Sequence, residues 1–144
     1  MLAKIEVDKV ISVATKAREN FLRKNPDAPR DLSEYCAIAS AFLFKCLKKA
    51  GFFPIFIVAT DEVEWSHVFI LVADYLVDIT ASQFGKPDVC VFKDFSVPYT
   101  EWYWVENRIF LHTIEDLIVH QKSKGWPEEQ MPKIRRKKLL SFFI

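Results

Sequence analysis

The stretch HVFILVADYLVDITASQF, residues 67–84, contains two apolar runs rich in β-branched and aromatic residues. Runs of this kind favour β-strands, and Ala73-Asp74 between them is short enough to be a two-residue hairpin turn. Such a turn would pair Val72 with Tyr75 in an antiparallel ladder. The stretch therefore predicts a β-hairpin.

The same hairpin would bring a histidine and an aspartate together. His67 heads the first run and shares a strand face with Phe69. The register pairs Phe69 with Asp78, so Asp78 would lie diagonal to His67 on that face. An aspartate among apolar neighbours is costly unless a partner satisfies it, and a histidine would be such a partner. A slip of one residue in the turn would send Asp78 to the opposite face.

Length and composition indicate one folded domain. The chain has 144 residues, of which 51% are hydrophobic and 15% aromatic, so it can bury a core of its own. We expect a single domain over 1–144, with an N-terminal helix at 4–24, a core at about 31–112 and C-terminal helices at about 113–142. Helices followed by short strands indicate an α+β fold with an antiparallel sheet.

Charge and targeting signals argue against several classes of protein. The formal net charge is +1, so we expect neither nucleic acid nor a membrane surface as partner. The basic run KIRRKK at 133–138 is more typical of a solvated helix face. We find no signal peptide and no membrane-spanning run, which predicts a cytoplasmic protein, with export by a non-classical route left open.

A central helix is predicted from SEYCAIASAFLFKCLKKAG, which is almost entirely apolar or small inside. Two N-caps compete: Asp31, with Glu34 as its capping-box partner, and Ser33. Either would place Cys36 near the N-terminus of the helix, where the dipole and free N–H groups stabilise a thiolate. The other interpretation is a small buried hydrophobe, the usual role of a free cysteine and our prediction for Cys46 and Cys90.

Cys36, His67 and Asp78 are the three residue types that form a catalytic relay of thiol, imidazole and carboxylate. In such a relay the acid orients the imidazole, the imidazole accepts the thiol proton, and the thiolate attacks a carbonyl carbon. The plainer alternative is a half-exposed His67 whose ring packs on Trp65. Three possible ligands without close spacing make a weak metal signal, so we predict neither metal nor cofactor.

The order of these elements resembles the transglutaminase-like branch of the papain-like thiol superfamily. The resemblance covers roughly residues 32–85. Two positions depart from the pattern: Phe69 stands where that branch often has Trp, and PRDLSEYC lacks the glutamine that papain has before its cysteine. The matching positions are His67, Val68, Phe69, the Ala73-Asp74 turn, Leu76-Val77, Asp78, Thr80 and Gln83-Phe84.

The resemblance implies a papain/transglutaminase-like core, in which a helix bearing Cys36 packs on an antiparallel sheet bearing His67 and Asp78. It also implies acyl transfer from an amide of a protein or peptide, by a protease, a glutamine deamidase or a transglutaminase. The Cys36 N–H could be one oxyanion donor if Ser33, rather than Asp31, is the N-cap. Candidates for the second donor, or for the cleft wall, are Tyr35, Trp65 and Gln83.

A non-catalytic binding or inhibitory module with the same fold is the alternative function. It predicts a thiol of ordinary pKa and a His67 that tolerates substitution. The sequence indicates no oligomeric state.

Overall fold

The computed structural model of the chain describes residues 2–94 and 107–133. Within these residues it contains three α-helices, five β-strands and two short 3₁₀ helices. No helix in this part of the chain is long and apolar enough to cross a membrane. In chain order the elements are α1 (Lys4–Lys24), α2 (Cys36–Lys49), β1 (Pro54–Thr60), β2 (Ser66–Val72), β3 (Tyr75–Asp78), the first 3₁₀ helix (Ala81–Phe84), β4 (Cys90–Lys93), β5 (Arg108–Leu111), α3 (Ile114–Ser123) and the second 3₁₀ helix (Glu128–Gln130).

The five strands form one antiparallel sheet in the order β4-β3-β2-β1-β5. This confirms the predicted α+β class, and the N-terminal helix at 4–24 is confirmed as well. Strand β2 is the central strand of the sheet, and β3 lies beside it, between β2 and β4. Each of them is hydrogen-bonded to a strand on both edges. The two strands that bear His67 and Asp78 are therefore interior strands.

The central hairpin has the predicted register. Val72 pairs with Tyr75 across the turn, which confirms the turn at Ala73-Asp74. Ala73 adopts φ 54°, in the left-handed region that tight hairpin turns use. Asp78 ends β3 and pairs with Cys90 on the next strand.

Helix α2 packs on one face of the sheet. Because side chains alternate along a strand, Val68 and Ile70 point to one face, where they share a core with Leu43 of α2. The Ser40 hydroxyl donates to the carbonyl oxygen of Val68 at 3.1 Å, which fixes the first half of α2 against β2. Phe69 points to the opposite face and belongs to a second, smaller apolar cluster.

The predicted start of α2 is wrong. Helix α2 begins at Cys36 with Tyr35 as N-cap, and neither Asp31 nor Ser33 occupies the cap position. Leu32 and Glu34 have φ values of 59° and 67°, which a helix cannot include. The Asp31 carboxylate instead accepts hydrogen bonds from the N–H and hydroxyl of Ser33, at 3.0 and 2.8 Å.

Burial of Leu32 explains this difference. Its side chain is fully buried in the core below α2, and the backbone turns through a left-handed conformation to place it there. Tertiary packing therefore overrides the local capping preference. As a result the helix begins later than the sequence indicates, and Cys36 is its first residue.

The C-terminal predictions are met in part. α3 begins at Ile114, within the stretch predicted to be helical, and is capped by Thr113, whose hydroxyl accepts from the Asp116 N–H at 3.0 Å. Residues 95–106 lie outside the described residues, and so does the part of the predicted C-terminal helices at 113–142 that follows residue 133.

Candidate active site

The site is built around a buried pair formed by His67 and Asp78. His67 Nε2 lies 2.7 Å from Asp78 Oδ2, and the two residues are 2% and 1% exposed. The second carboxylate oxygen, Oδ1, accepts hydrogen bonds from the Thr80 N–H at 2.8 Å and the Thr80 hydroxyl at 3.0 Å. Both carboxylate oxygens thus have donors, which offsets the desolvation of a buried charge.

Two phenylalanines hold the His67 ring. Phe69 stacks on it at a centroid distance of 5.5 Å, and Phe84 meets it edge-on at 5.0 Å. The interpretation of His67 as a half-exposed residue packed on Trp65 is therefore wrong. Because its ring is packed against Phe69 and Phe84 and bonded to Asp78, the imidazole is held in one orientation.

Cys36 completes the group. As the first residue of α2 it lies at the positive end of the helix dipole, and it is 7% exposed. Its side chain lies close enough to His67 to raise the pKa of that ring, both as a hydrogen-bond partner and by its charge.

Cys36 and His67 lie at the beginnings of their elements, as the first residue of α2 and the second residue of β2. Cys36 belongs to the apolar cluster between α2 and the sheet. Phe69 lies on the same face of β2 as His67 and belongs to the smaller cluster on the other face of the sheet. The influence of Cys36 on the His67 ring indicates that the first residue of α2 lies close to the start of β2.

The pKa of His67 is raised to about 10. Burial is the largest influence and lowers it, since a charged ring is costly in a dry site. The Asp78 carboxylate, by its charge and its hydrogen bond, outweighs burial, and the Cys36 side chain raises the pKa further. His67 is thus an imidazolium at neutral pH, a state that can pair with a thiolate on one side and a carboxylate on the other.

The backbone at Cys36 is suited to oxyanion binding. The N–H of a first helical residue has no acceptor within its own helix. An N-cap at Asp31 would have placed Cys36 deeper in the helix and used this N–H, but the cap is Tyr35. The Cys36 N–H therefore has no partner within α2, as an oxyanion donor requires.

The three further predicted residues have different surroundings. The ring of Tyr35 lies edge-on to Phe21 of α1, with centroids 6.2 Å apart, so its side chain is directed to the N-terminal helix. Gln83 Nε2 donates to the Thr80 carbonyl oxygen at 3.0 Å, which anchors this amide beside the Asp78 pair. Trp65 is 71% exposed.

Trp65 contributes to a groove of about 310 Å³. The groove runs between the β1–β2 loop and the segment after α3, and Trp126 lies on its far side. Ser66, the first residue of β2, is the groove residue that directly precedes His67, whereas Cys36, His67 and Asp78 themselves do not line the groove. Its lining consists of residues 63–66, 124–127 and Gln130.

Sequence reasoning does not assign a role to two residues that support the site. Thr80 is one of the positions on which the sequence resemblance rests, but the sequence assigns it no role. In the structure its N–H and its hydroxyl both donate to Asp78 Oδ1. Arg18 of α1 lies close to the pair through the backbone of Ile79. A signal for Arg18 is present in the sequence, because it lies on the helix face that also carries Ala14 and Phe21, where an unpaired charge would be costly.

Among the described residues, no cluster of three or more His, Cys, Asp or Glu side chains is arranged to hold a metal ion. Of the other two cysteines, Cys90 is buried on β4 at the position paired with Asp78, and half-burial raises the pKa of Cys46. Comparison of the chain with protein-family models, curated proteins and solved structures returned no match. What the site can do therefore follows from its own residues.

Proposed function

We propose that the protein is a cysteine-dependent acyl-transfer enzyme that acts on amide bonds of a protein or peptide. Cys36 is the nucleophile, His67 the acid and base, and Asp78 the residue that orients His67. The observation that supports this most directly is the buried His67–Asp78 pair, whose ring has its pKa raised further by a cysteine at a helix N-terminus. Nucleophile, base and orienting acid in this order form the relay of thiol hydrolases and transferases.

The reaction proceeds in two halves. The Cys36 thiolate attacks the amide carbonyl carbon, and a C–S bond forms as the carbonyl π electrons move to oxygen. His67, as imidazolium, donates its proton to the leaving nitrogen when the C–N bond breaks, which leaves a thioester on Cys36. The neutral imidazole then takes a proton from the incoming water or amine, which attacks the thioester carbon. The C–S bond breaks, and the Cys36 thiolate and the His67 imidazolium are restored.

The oxyanion of each tetrahedral intermediate would form near the first turn of α2. The Cys36 N–H and the positive end of the helix dipole both favour negative charge there. Gln83, whose amide is anchored on the Thr80 carbonyl, is the best placed of the predicted side-chain donors. The proposed chemistry requires no cofactor.

A papain/transglutaminase-like core is part of the proposal. Its support is the chain order, with Cys36 on a helix, His67 on the second strand and Asp78 on the third, and the packing of that helix on an antiparallel sheet. Protease, glutamine deamidase and transglutaminase share the thioester and differ in the leaving group and acceptor. The groove between Trp65 and Trp126, which reaches Ser66 at the start of β2, would bind part of the peptide chain.

Alkylation of Cys36 as a function of pH tests the nucleophile. Iodoacetamide modification, located by peptide mass spectrometry, is expected at Cys36 well below the ordinary thiol pKa of about 8.5. The His67→Gln variant should lose this low-pH reactivity, whereas Cys46 and Cys90 serve as internal controls in the same molecule. If Cys36 reacts only as an ordinary thiol, or equally well without His67, there is no relay and the proposal fails.

Product analysis tests the reaction class. The protein is incubated with a glutamine-containing peptide library, with and without an added primary amine, and Cys36→Ala is the matched control. Peptide cleavage indicates a protease, conversion of glutamine to glutamate a deamidase, and amine incorporation a transglutaminase. The absence of all three, with a normally reactive Cys36, would argue against amides as substrates.

A non-catalytic binding or inhibitory module is the second candidate. The observation that favours it is the burial of the site, since Cys36 is 7% and His67 only 2% exposed. This candidate predicts that Cys36→Ser binds a protein partner as tightly as the wild type does. An enzyme instead predicts that the same variant binds substrate but does not turn it over.

A further inference from the structure

Arg18 of α1 places a buried guanidinium next to the relay. The residue is 5% exposed, and its Nη1 donates to the carbonyl oxygen of Ile79 and, at 3.4 Å, to that of Asp88. Its Nη2 donates to the carbonyl oxygen of Arg30 at 2.7 Å and lies 3.5 Å from the Asp88 carboxylate. A buried charge is retained only where such partners compensate its desolvation.

The contact with Ile79 connects Arg18 to the carboxylate of the relay. Ile79 and Thr80 share one peptide group: its C=O accepts from Arg18, and its N–H donates to Asp78 Oδ1 at 2.8 Å. A cation on the carbonyl oxygen polarises the amide and strengthens its N–H as a donor. The hydrogen bonds thus continue from Arg18 through this peptide to Asp78 and on to His67.

The contact with Arg30 connects Arg18 to the other end of the relay. Arg30 lies in the loop that leads to Cys36, and the neighbouring Asp31 carbonyl accepts from the Ser82 hydroxyl at 3.0 Å. One guanidinium therefore joins the segment before the nucleophile to the segment after the acid. A lysine ammonium cannot reproduce this fork of donors.

We propose that Arg18 is a positioning residue of the relay, which fixes the Ile79–Thr80 peptide so that its N–H keeps the Asp78 carboxylate in line with His67. A contribution of Arg18 to catalysis rests on the proposed function, whereas its effect on the titration of His67 does not. The charged groups that face Arg18 are Asp88, Asp78 and Asp31, and all three favour its charged form. The groups that face His67 are Asp78 and Cys36.

The titration of His67 distinguishes a positioning role from two others. If Arg18 orients Asp78, its removal weakens the His67–Asp78 bond and lowers the His67 titration midpoint. If Arg18 only stabilises the fold, the protein becomes less stable but the midpoint does not move. If Arg18 acts only as a distant positive charge, its removal raises the midpoint.

The experiment is an NMR titration of the His67 ring in isotopically labelled protein, comparing wild type with Arg18→Met. We expect the midpoint to fall by about one pH unit, the scale on which a lost hydrogen-bonded charge partner shifts a buried group. Arg23→Met, which removes an exposed arginine of the same helix, is the matched control and should titrate as the wild type does. An unchanged or raised midpoint in Arg18→Met overturns the proposal.

Two further variants keep the test decisive if Arg18→Met does not fold. Arg18→Lys retains the charge but not the fork, and a midpoint equal to that of the wild type would overturn the proposal. In Arg18→Ala, added guanidinium chloride at millimolar concentration should restore the midpoint, while sodium chloride at equal ionic strength should not. Because none of these measurements needs turnover, inactivity of the wild-type protein would refute the proposed function and leave the role of Arg18 standing.

Discussion

His67 Nε2 and Asp78 Oδ2 lie 2.7 Å apart in a site that solvent barely reaches. A buried pair of this kind is stable only while both partners are present, because removing one leaves the other uncompensated. The pair also holds a proton on His67 that burial alone would remove. The state of the proton therefore depends on Asp78, which leads to the first prediction.

The Asp78→Asn variant is expected to lower the His67 pKa well below its wild-type value of about 10. With the carboxylate gone, burial is the dominant influence, and it favours the neutral ring. We also expect a loss of about 3–5 kcal/mol in the free energy of unfolding. NMR titration of the ring and urea unfolding measure the two effects, with the exposed Asp8→Asn as control. A His67 that still titrates near its wild-type value would show that Asp78 is not its main partner.

Stability is expected to fall as the pH rises from 6.5 towards about 10. The folded protein holds the His67 proton more tightly than the unfolded chain does, so the pair contributes fully below pH 6.5. Above that pH the unfolded chain has released the proton while the folded protein still holds it. The free energy of unfolding then falls by about 1.4 kcal/mol for each pH unit, until the pH passes the folded pKa.

Urea unfolding at a series of pH values measures this dependence. Because lysines, tyrosines and cysteines also titrate at alkaline pH, the informative quantity is the difference between wild type and His67→Gln. That difference should shrink as the pH rises. His112→Gln, at an exposed position, should show the wild-type dependence. A difference that stays constant across this range would mean that His67 has no raised pKa.

Thr80→Val is expected to lower the free energy of unfolding by about 1.5–3 kcal/mol, the range for a hydrogen bond to a charged group. The Thr80 hydroxyl donates to Asp78 Oδ1 at 3.0 Å in a fully buried position, and valine has the same shape without the donor. Thr80→Ser keeps the donor and loses only a methyl group, so it should lie between valine and wild type. Urea unfolding compares the three proteins. A valine variant as stable as the wild type would show that the Thr80 N–H alone satisfies Oδ1.

The central hairpin could be predicted because its determinants are local. Side chains alternate with a period of two, and a two-residue turn leaves one register that keeps both apolar faces buried. The pairing of Val72 with Tyr75 and the meeting of His67 with Asp78 follow from those two facts.

The start of α2 and the role of Arg18 depend on distant parts of the chain. Capping preferences favour Asp31 or Ser33, but burial of Leu32 decides the backbone path. Arg18 binds carbonyl oxygens of residues 30, 79 and 88, and a carbonyl group has no signature in the sequence. Such contacts become visible only when the tertiary structure is known.

The backbone before the nucleophile gives the last prediction. Glu34 is exposed, lies two residues before Cys36 and has a φ of 67°, a conformation that costs about 1 kcal/mol for a residue with a Cβ atom. Glu34→Gly should therefore raise the free energy of unfolding, although glycine also gains entropy in the unfolded chain and part of the benefit is lost. Glu34→Ala removes the same carboxylate but keeps the Cβ atom, so it should bring no such gain. Urea unfolding of the two variants isolates the backbone effect, and iodoacetamide labelling checks that Cys36 keeps its reactivity. If glycine is no more stabilising than alanine, the left-handed conformation at position 34 is not a source of strain.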